Sequence, residues 1–133
     1  MIQSVPAKWR SPTGNSNLDE QFARACLNCF NAISPYTVRA YGSLKQADEF
    51  AEGSIAEDMK AVKSHNENKS WRDAKLEYIP VVFPGWSGHN SSDGRSQFDL
   101  DRDPRYSGKF LWRQIFNARK RGARTIYAAT WDG

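Results

Sequence analysis

Tyr78-Ile79-Pro80-Val81-Val82-Phe83-Pro84-Gly85-Trp86-Ser87-Gly88-His89-Asn90 is the stretch whose reading decides the fold. Its first residues form a short run of β-branched and aromatic side chains suited to a buried strand, and Pro84-Gly85 marks where a strand stops. The loop that opens there carries an indole, an imidazole and a carboxamide: Trp86, His89 and Asn90. Flat apolar faces beside hydrogen-bonding groups suit a sugar, whose C–H face stacks while its hydroxyls pair. A purely structural reading competes, in which Trp86 caps the core while His89 and Asn90 satisfy turn backbone.

Outward from this stretch, the same arrangement recurs. Ile2 to Ala7 reads as extended and runs into Lys8-Trp9-Arg10, followed by the turn-rich Ser11 to Ser16. From Asn17, placed as the N-cap, the period changes to three and four with Leu18, Phe22, Cys26, Cys29, Phe30 and Ile33, the pattern of an amphipathic helix. Ala32 to Tyr41 is a second extended piece, in which Pro35 argues for a strand start, a bulge or an exposed segment. Lys45 to Phe50 and Ile55 to Val62 read as helices broken near Gly53, with Ser54 capping the second. Ser64 to Lys69 reads as a polar loop anchored by Trp71, before the third strand, Glu77 to Phe83.

A long connection, Gly85 to Tyr106, precedes a helix over Lys109 to Arg121 that buries Phe110, Leu111, Gln114, Ile115 and Ala118, with Gly122 as its C′ residue. Thr125 to Thr130 is the last strand. Strands that alternate with helices predict parallel α/β architecture, in which ligands gather at the C-terminal ends of the strands. Trp9, Arg10, Tyr36, Arg39, Tyr41, Trp86, His89, Asn90, Trp131 and Asp132 are then expected to line one face.

At 133 residues the chain is of single-domain size, and 39% hydrophobic with 26% charged residues is ordinary for a globular domain. A net charge of +4 raises nucleic acid as a partner. The one dense basic cluster, Arg113, Arg119, Lys120, Arg121 and Arg124, belongs to a helix C-terminus, where the dipole favours it, so no nucleic-acid partner is expected. Cys26 and Cys29 lack the second ligand pair a zinc site needs and read as buried packing residues. The aspartates between 93 and 103 lack the EF-hand order of ligands, and Ser87 lies outside a Gly-x-Ser-x-Gly elbow. Neither metal nor cofactor is expected. No apolar run is long enough to span a membrane, no signal-peptide apolar region is visible, and the compartment stays open.

The strand ends carry a family resemblance. Val5 to Arg10, Ile33 to Tyr41, Pro80 to Asn90, Phe110 to Gln114 and Ile126 to Asp132 resemble, in order, successive blocks of the glycoside hydrolase family 71/99-like proteins. The likeness covers nearly the whole chain. It implies half of a (β/α)8 TIM-type barrel, the C-terminal half, as one partial domain over residues 1–133, and an O-glycosyl hydrolase ancestry acting on α-mannosides or α-glucans. About four strands cannot close a barrel. The chain is then expected to form an open sheet, to pair with a complementary half-barrel or to self-associate.

In the resembled family 99, a glutamate pair follows the last strand, one assisting the attack and one protonating the leaving group. Here Asp132 matches the acidic residue that opens that motif, and the glutamates have no counterpart. Glycoside hydrolysis in general uses two carboxyl groups across the scissile bond. The resemblance therefore implies Asp132 as the residue beside the reacting centre and a domain incomplete for hydrolysis on its own. A noncatalytic carbohydrate-binding remnant and a truncated gene product are the alternatives.

Overall fold

The computed structural model describes residues 1–85 and 108–130. Trp86, His89, Asn90, the aspartates between 93 and 103, Trp131 and Asp132 lie outside the described residues. The element order is β1 (Ile2–Pro6), α1 (Ser16–Cys29), β2 (Ala32–Tyr36), α2 (Leu44–Phe50), a π-helical turn (Ala51–Ile55), α3 (Ala56–Glu67), β3 (Glu77–Tyr78), β4 (Val81–Val82), α4 (Lys109–Lys120) and β5 (Tyr127–Ala128).

Every described strand pair is parallel: β1 with β2, β2 with β3, and β4 with β5. The architecture is α/β as the alternation predicts, and the described strands do not close a barrel. β3 and β4 are two halves of the one predicted strand, and each half faces a different neighbour. Ile79 N–H donates to Ile33 on the β2 side, whereas Pro80 and Val82 carbonyls accept from Tyr127 and Ala129 on the β5 side. The strands thus follow one another across the molecule in chain order.

Two prolines explain why the ladders are short. In a parallel ladder, Ile79 O would accept from the N–H of residue 35, and Pro35 has none. Ser34 Oγ takes its place and donates to Ile79 O at 2.9 Å; Thr37 Oγ1 donates to Val81 O at 3.2 Å. The expectation that Pro35 marks a strand start, a bulge or an exposed segment is therefore corrected. Pro35 is buried as the fourth residue of β2 and sits opposite Val5.

The helices end where the local chemistry dictates. α1 is capped two residues earlier than Asn17: Asn15 Oδ1 accepts from the N–H groups of Asn17 and Leu18. α2 runs without a break through the π turn into α3, capped by Ser43 and not by Ser54, and Gly53 sits inside the helix with open space around it. α3 continues to Glu67, so Ser64 begins no loop, and Trp71 is solvent-exposed beneath the Arg72 guanidinium instead of serving as an anchor. After α4, Gly122 N–H donates to Arg119 O and Ala123 N–H to Ala118 O, the paired bonds of a Schellman end.

One core cluster, with Val5, Ile33 and Tyr78 from the strands, Trp9, Cys26 from α1, and Ile55 and Val62, lies between sheet and helices. A second gathers Tyr41, Ala47, Phe83 and Phe110. The helix face expected from Leu18, Phe22 and Cys29 is corrected: all three are exposed, and Asp19, Ala23, Cys26 and Leu27 turn inward.

Gly122 has φ +99°, a left-handed conformation that a Cβ disfavours. Gly122→Ala is expected to lower the free energy of unfolding by about 1 kcal/mol, read from urea denaturation; an unchanged midpoint would contradict this role.

Candidate functional site

Because all strands run the same way, their C-terminal ends lie along one edge, followed by Trp9-Arg10, Thr37-Arg39-Tyr41, Phe83-Gly85 and Thr130. Backbone strain marks this edge. Among the described residues, the non-glycine positions with left-handed backbone are Arg39, φ 73°, and Thr130, φ 52°, and both follow strand C-termini. Arg39 is the third residue of a turn closed by Ala40 N–H to Thr37 O at 2.9 Å, where φ above zero ordinarily calls for glycine. Such outliers cost of order 1 kcal/mol and cluster at functional sites. Gly85, φ 143°, opens the next connection along the same edge.

The predicted site residues divide by depth. Tyr36, the last residue of β2, leaves 46% of its surface open, and Arg39 is exposed. Their position at the strand ends is the one the sequence pattern predicts. Trp9 and Tyr41 are corrected as open ring faces: Trp9 is 0% exposed within the first core cluster, and Tyr41 is enclosed in the second. Both follow strand ends, but the chain turns them under the helices and not outward.

Beside Trp9, Arg10 bends back onto α3. Its Nε donates to Asp58 Oδ1 at 2.6 Å and its Nη2 to Glu57 Oε2 at 2.8 Å, while Tyr78 Oη donates to Asp58 Oδ2 at 3.0 Å. Burial pushes the Asp58 carboxyl up from its ordinary value, and the hydrogen bonds from Arg10 and Tyr78 offset only part of that. Burial also opposes the Arg10 charge, yet the two carboxylates more than compensate and raise its pKa. Trp9 Nε1 is near enough to favour the Asp58 charge without making a well-aligned hydrogen bond. Arg10 is thus a clamp joining the β1 end to α3 and, through Asp58, to Tyr78. Its side chain remains 34% exposed, facing a cleft of about 390 Å³ between α1 and α3.

A second clamp holds the end of β4. Gln114 on α4 accepts from Phe83 N–H at 3.1 Å and donates to Phe83 O at 2.8 Å, so its amide pairs with the backbone as a neighbouring strand would. The same side chain accepts from Tyr41 Oη at 3.0 Å and donates to Phe110 O at 3.1 Å. Burial drives the Tyr41 hydroxyl far above its ordinary pKa, so it stays a neutral donor. Sequence reasoning placed Gln114 on the buried stripe and missed this role. A buried glutamine among Phe110, Leu111, Ile115 and Ala118 was the available signal, because a buried amide needs partners.

A cleft of about 870 Å³ opens at the other end of the sheet, between α3 and the turn after α4, with Met59, Val62, Leu76 and Tyr78 among its lining residues. It collects none of the predicted site residues. Among the described residues, no group of three or more His, Cys, Asp or Glu side chains is placed to hold a metal ion. No helix of the described residues is long and apolar enough to cross a membrane. No protein-family model, curated protein or solved structure gives a significant match to the chain.

Gln114→Leu would leave Phe83 N–H, Phe83 O and Tyr41 Oη unpaired and is expected to cost about 2–4 kcal/mol in chemical denaturation; a loss within error of zero would refute the clamp. Asp58→Asn, which deprives Arg10 of its buried partner, is expected to cost about 2 kcal/mol. That is less than a fully buried pair would lose, because Arg10 keeps solvent contact. Arg10→Met should show a comparable loss if the two groups act as one unit, and clearly unequal losses would separate them.

Proposed function

We propose that this chain is a saccharide-recognising α/β domain of glycoside hydrolase descent, one half of a (β/α)8 barrel, that binds α-mannosidic or α-glucosidic oligosaccharides without hydrolysing them alone. The observation that carries the reading is that the left-handed backbone positions Arg39 and Thr130 and the half-open Tyr36 all stand at the C-terminal ends of parallel strands. In folds of this class, ligands meet that edge. A half-open aromatic ring at that edge offers a stacking face to one sugar unit, with Arg39 three residues further along the chain.

The state of the carboxylates nearest this edge supports recognition without turnover. Glu57 and Asp58, at the β1 end, are both engaged by Arg10, and Asp58 is buried. The carboxyl pair of a glycosidase must be free to act on substrate. Asp132 is the acidic residue that the family resemblance assigns to the reacting centre. Trp86, His89 and Asn90 extend the reading into the connection after β4 and are the further sugar contacts proposed, with Trp131 beside Asp132.

The test is calorimetric and fluorescence titration with α-mannan and α-1,3-glucan oligosaccharides, alongside a reducing-sugar assay. Binding without turnover is expected, and Tyr36→Ala should weaken it roughly three- to tenfold through loss of the stacking face. Tyr41→Phe, a change inside the core, should leave affinity unaltered. Absence of heat and of indole response with every oligosaccharide would refute the reading. Turnover abolished by Asp132→Asn would instead make the chain a hydrolase in its own right.

A further inference from the structure

α1 carries two apolar stripes, and the core uses only one of them. Ser16, Asp19, Glu20, Ala23 and Leu27 look across the small cleft toward α3, and Cys26 packs with Val5 of β1 and Ile33 of β2. Roughly a quarter turn away lies Leu18-Phe22-Ala25-Cys29, at spacings of four, three and four, all of them exposed. Leu18 is 55% and Phe22 39% open to solvent. Helical geometry turns this stripe away from α3, toward the side of the sheet where β1 has no other described partner than β2.

We propose that a second copy of this chain covers the stripe, two α1 helices packing antiparallel about a two-fold axis with their β1 edges side by side. Three observations favour this occupant. The surface formed by Leu18, Gln21, Phe22, Ala25, Asn28 and Cys29 contains no charge, and the exposed charges of α1, Glu20 and Arg24, are paired with each other off that face. Nothing ionised on this helix face has to lose its water on association.

The stripe is also self-complementary. An antiparallel two-fold sets the large Leu18 and Phe22 of one copy against the small Cys29 and Ala25 of the other, large side chains into gaps, as packed helices require. The spacing agrees as well. Since α1 covers the gap between β1 and β2, joining two β1 edges at the usual strand separation puts the α1 axes two strand spacings apart. That is about 10 Å, within the range of packed helices.

The exposed aromatics of α4 offer a contrast. Trp112 and Phe116 lie beside Lys109 and beside Arg113, which is paired with Asp48, so a contact there would have to take charged groups out of water.

The association stands on the β1 and α1 side and does not rest on the saccharide reading. A monomer that binds sugar would overturn only the former, and a dimer that ignores sugar only the latter. Sedimentation equilibrium of the chain is expected to give twice its 15.1 kDa mass at micromolar concentration. Phe22→Glu and Leu18→Glu should each weaken the dimer roughly a hundredfold, because a charge would be left in an apolar contact. Circular dichroism serves as the control for folding. Trp112→Glu should leave the mass unchanged.

Leu18→Cys adds a second readout. Positions 18 and 29 of one helix are about 16 Å apart along its axis, too far for a disulfide within a chain. An oxidised Leu18→Cys chain should therefore run as a covalent dimer through Cys29 of the other copy, while the unaltered chain should not. A monomer at every concentration, a dimer indifferent to Phe22→Glu, one dissolved by Trp112→Glu, or a Leu18→Cys chain that stays uncrosslinked would each overturn the arrangement.

Discussion

Two missing donors shape the sheet. Pro35 in β2 and Pro80 between β3 and β4 have no N–H, so the ladder on either side of the central strand cannot run uninterrupted. Ser34 and Thr37 hydroxyls donate to Ile79 and Val81 carbonyls in place of backbone, keeping β2 attached to the central strand past the point where the regular ladder stops. The central strand then passes its bonding to β5 at Pro80 and Val82. Both prolines are buried, so any carbonyl left without a partner would be cut off from water at a cost of order 1–3 kcal/mol. Every further feature of the C-terminal edge depends on that hand-over, because it sets how the β1–β2 pair lies beside the β4–β5 pair.

Side chains from the helical layer then lock the strand ends. Arg10 ties the end of β1 to α3, and Gln114 ties the end of β4 to α4 by imitating a strand. α4 is held in turn to α2, with Asn117 Nδ2 donating to Asp48 Oδ1 at 2.8 Å and Arg113 Nη1 to Asp48 Oδ2 at 3.3 Å. A rigid frame of this kind can tolerate strained turns at Arg39 and Thr130, since the neighbouring packing overdetermines their backbone. Connections held at the ends of a packed sheet are a usual setting for ligand recognition.

Much of the frame was legible in the sequence. Strand and helix order, the parallel α/β class, the Gly122 stop and the Phe110-Gln114-Ala118 stripe all follow from local pattern, because period, turn residues and capping act over a few residues at a time. The less legible part was direction. Trp9 and Tyr36 both stand at strand ends next to basic residues, yet one is enclosed and the other half-open. Leu18 and Phe22 share a helical period with Cys26, yet belong to a different stripe from the core residues. Spacings of three and four suit two adjacent faces of a helix equally well, and only the position of α3 and the sheet selects between them.

Sequence by itself determined the alternation of strands with helices, the places where strands stop and the residue types gathered at those stops, since each is set by backbone chemistry within a few residues. Tertiary structure alone decided that a hydroxyl replaces the Pro35 donor, that Arg10 is drawn down onto Asp58 and Glu57, and that a helix glutamine completes the end of β4. Those outcomes join residues 31 to 48 positions apart. They depend on which buried polar group lies within reach of which partner, and that is a property of the packed molecule, not of any segment of its chain.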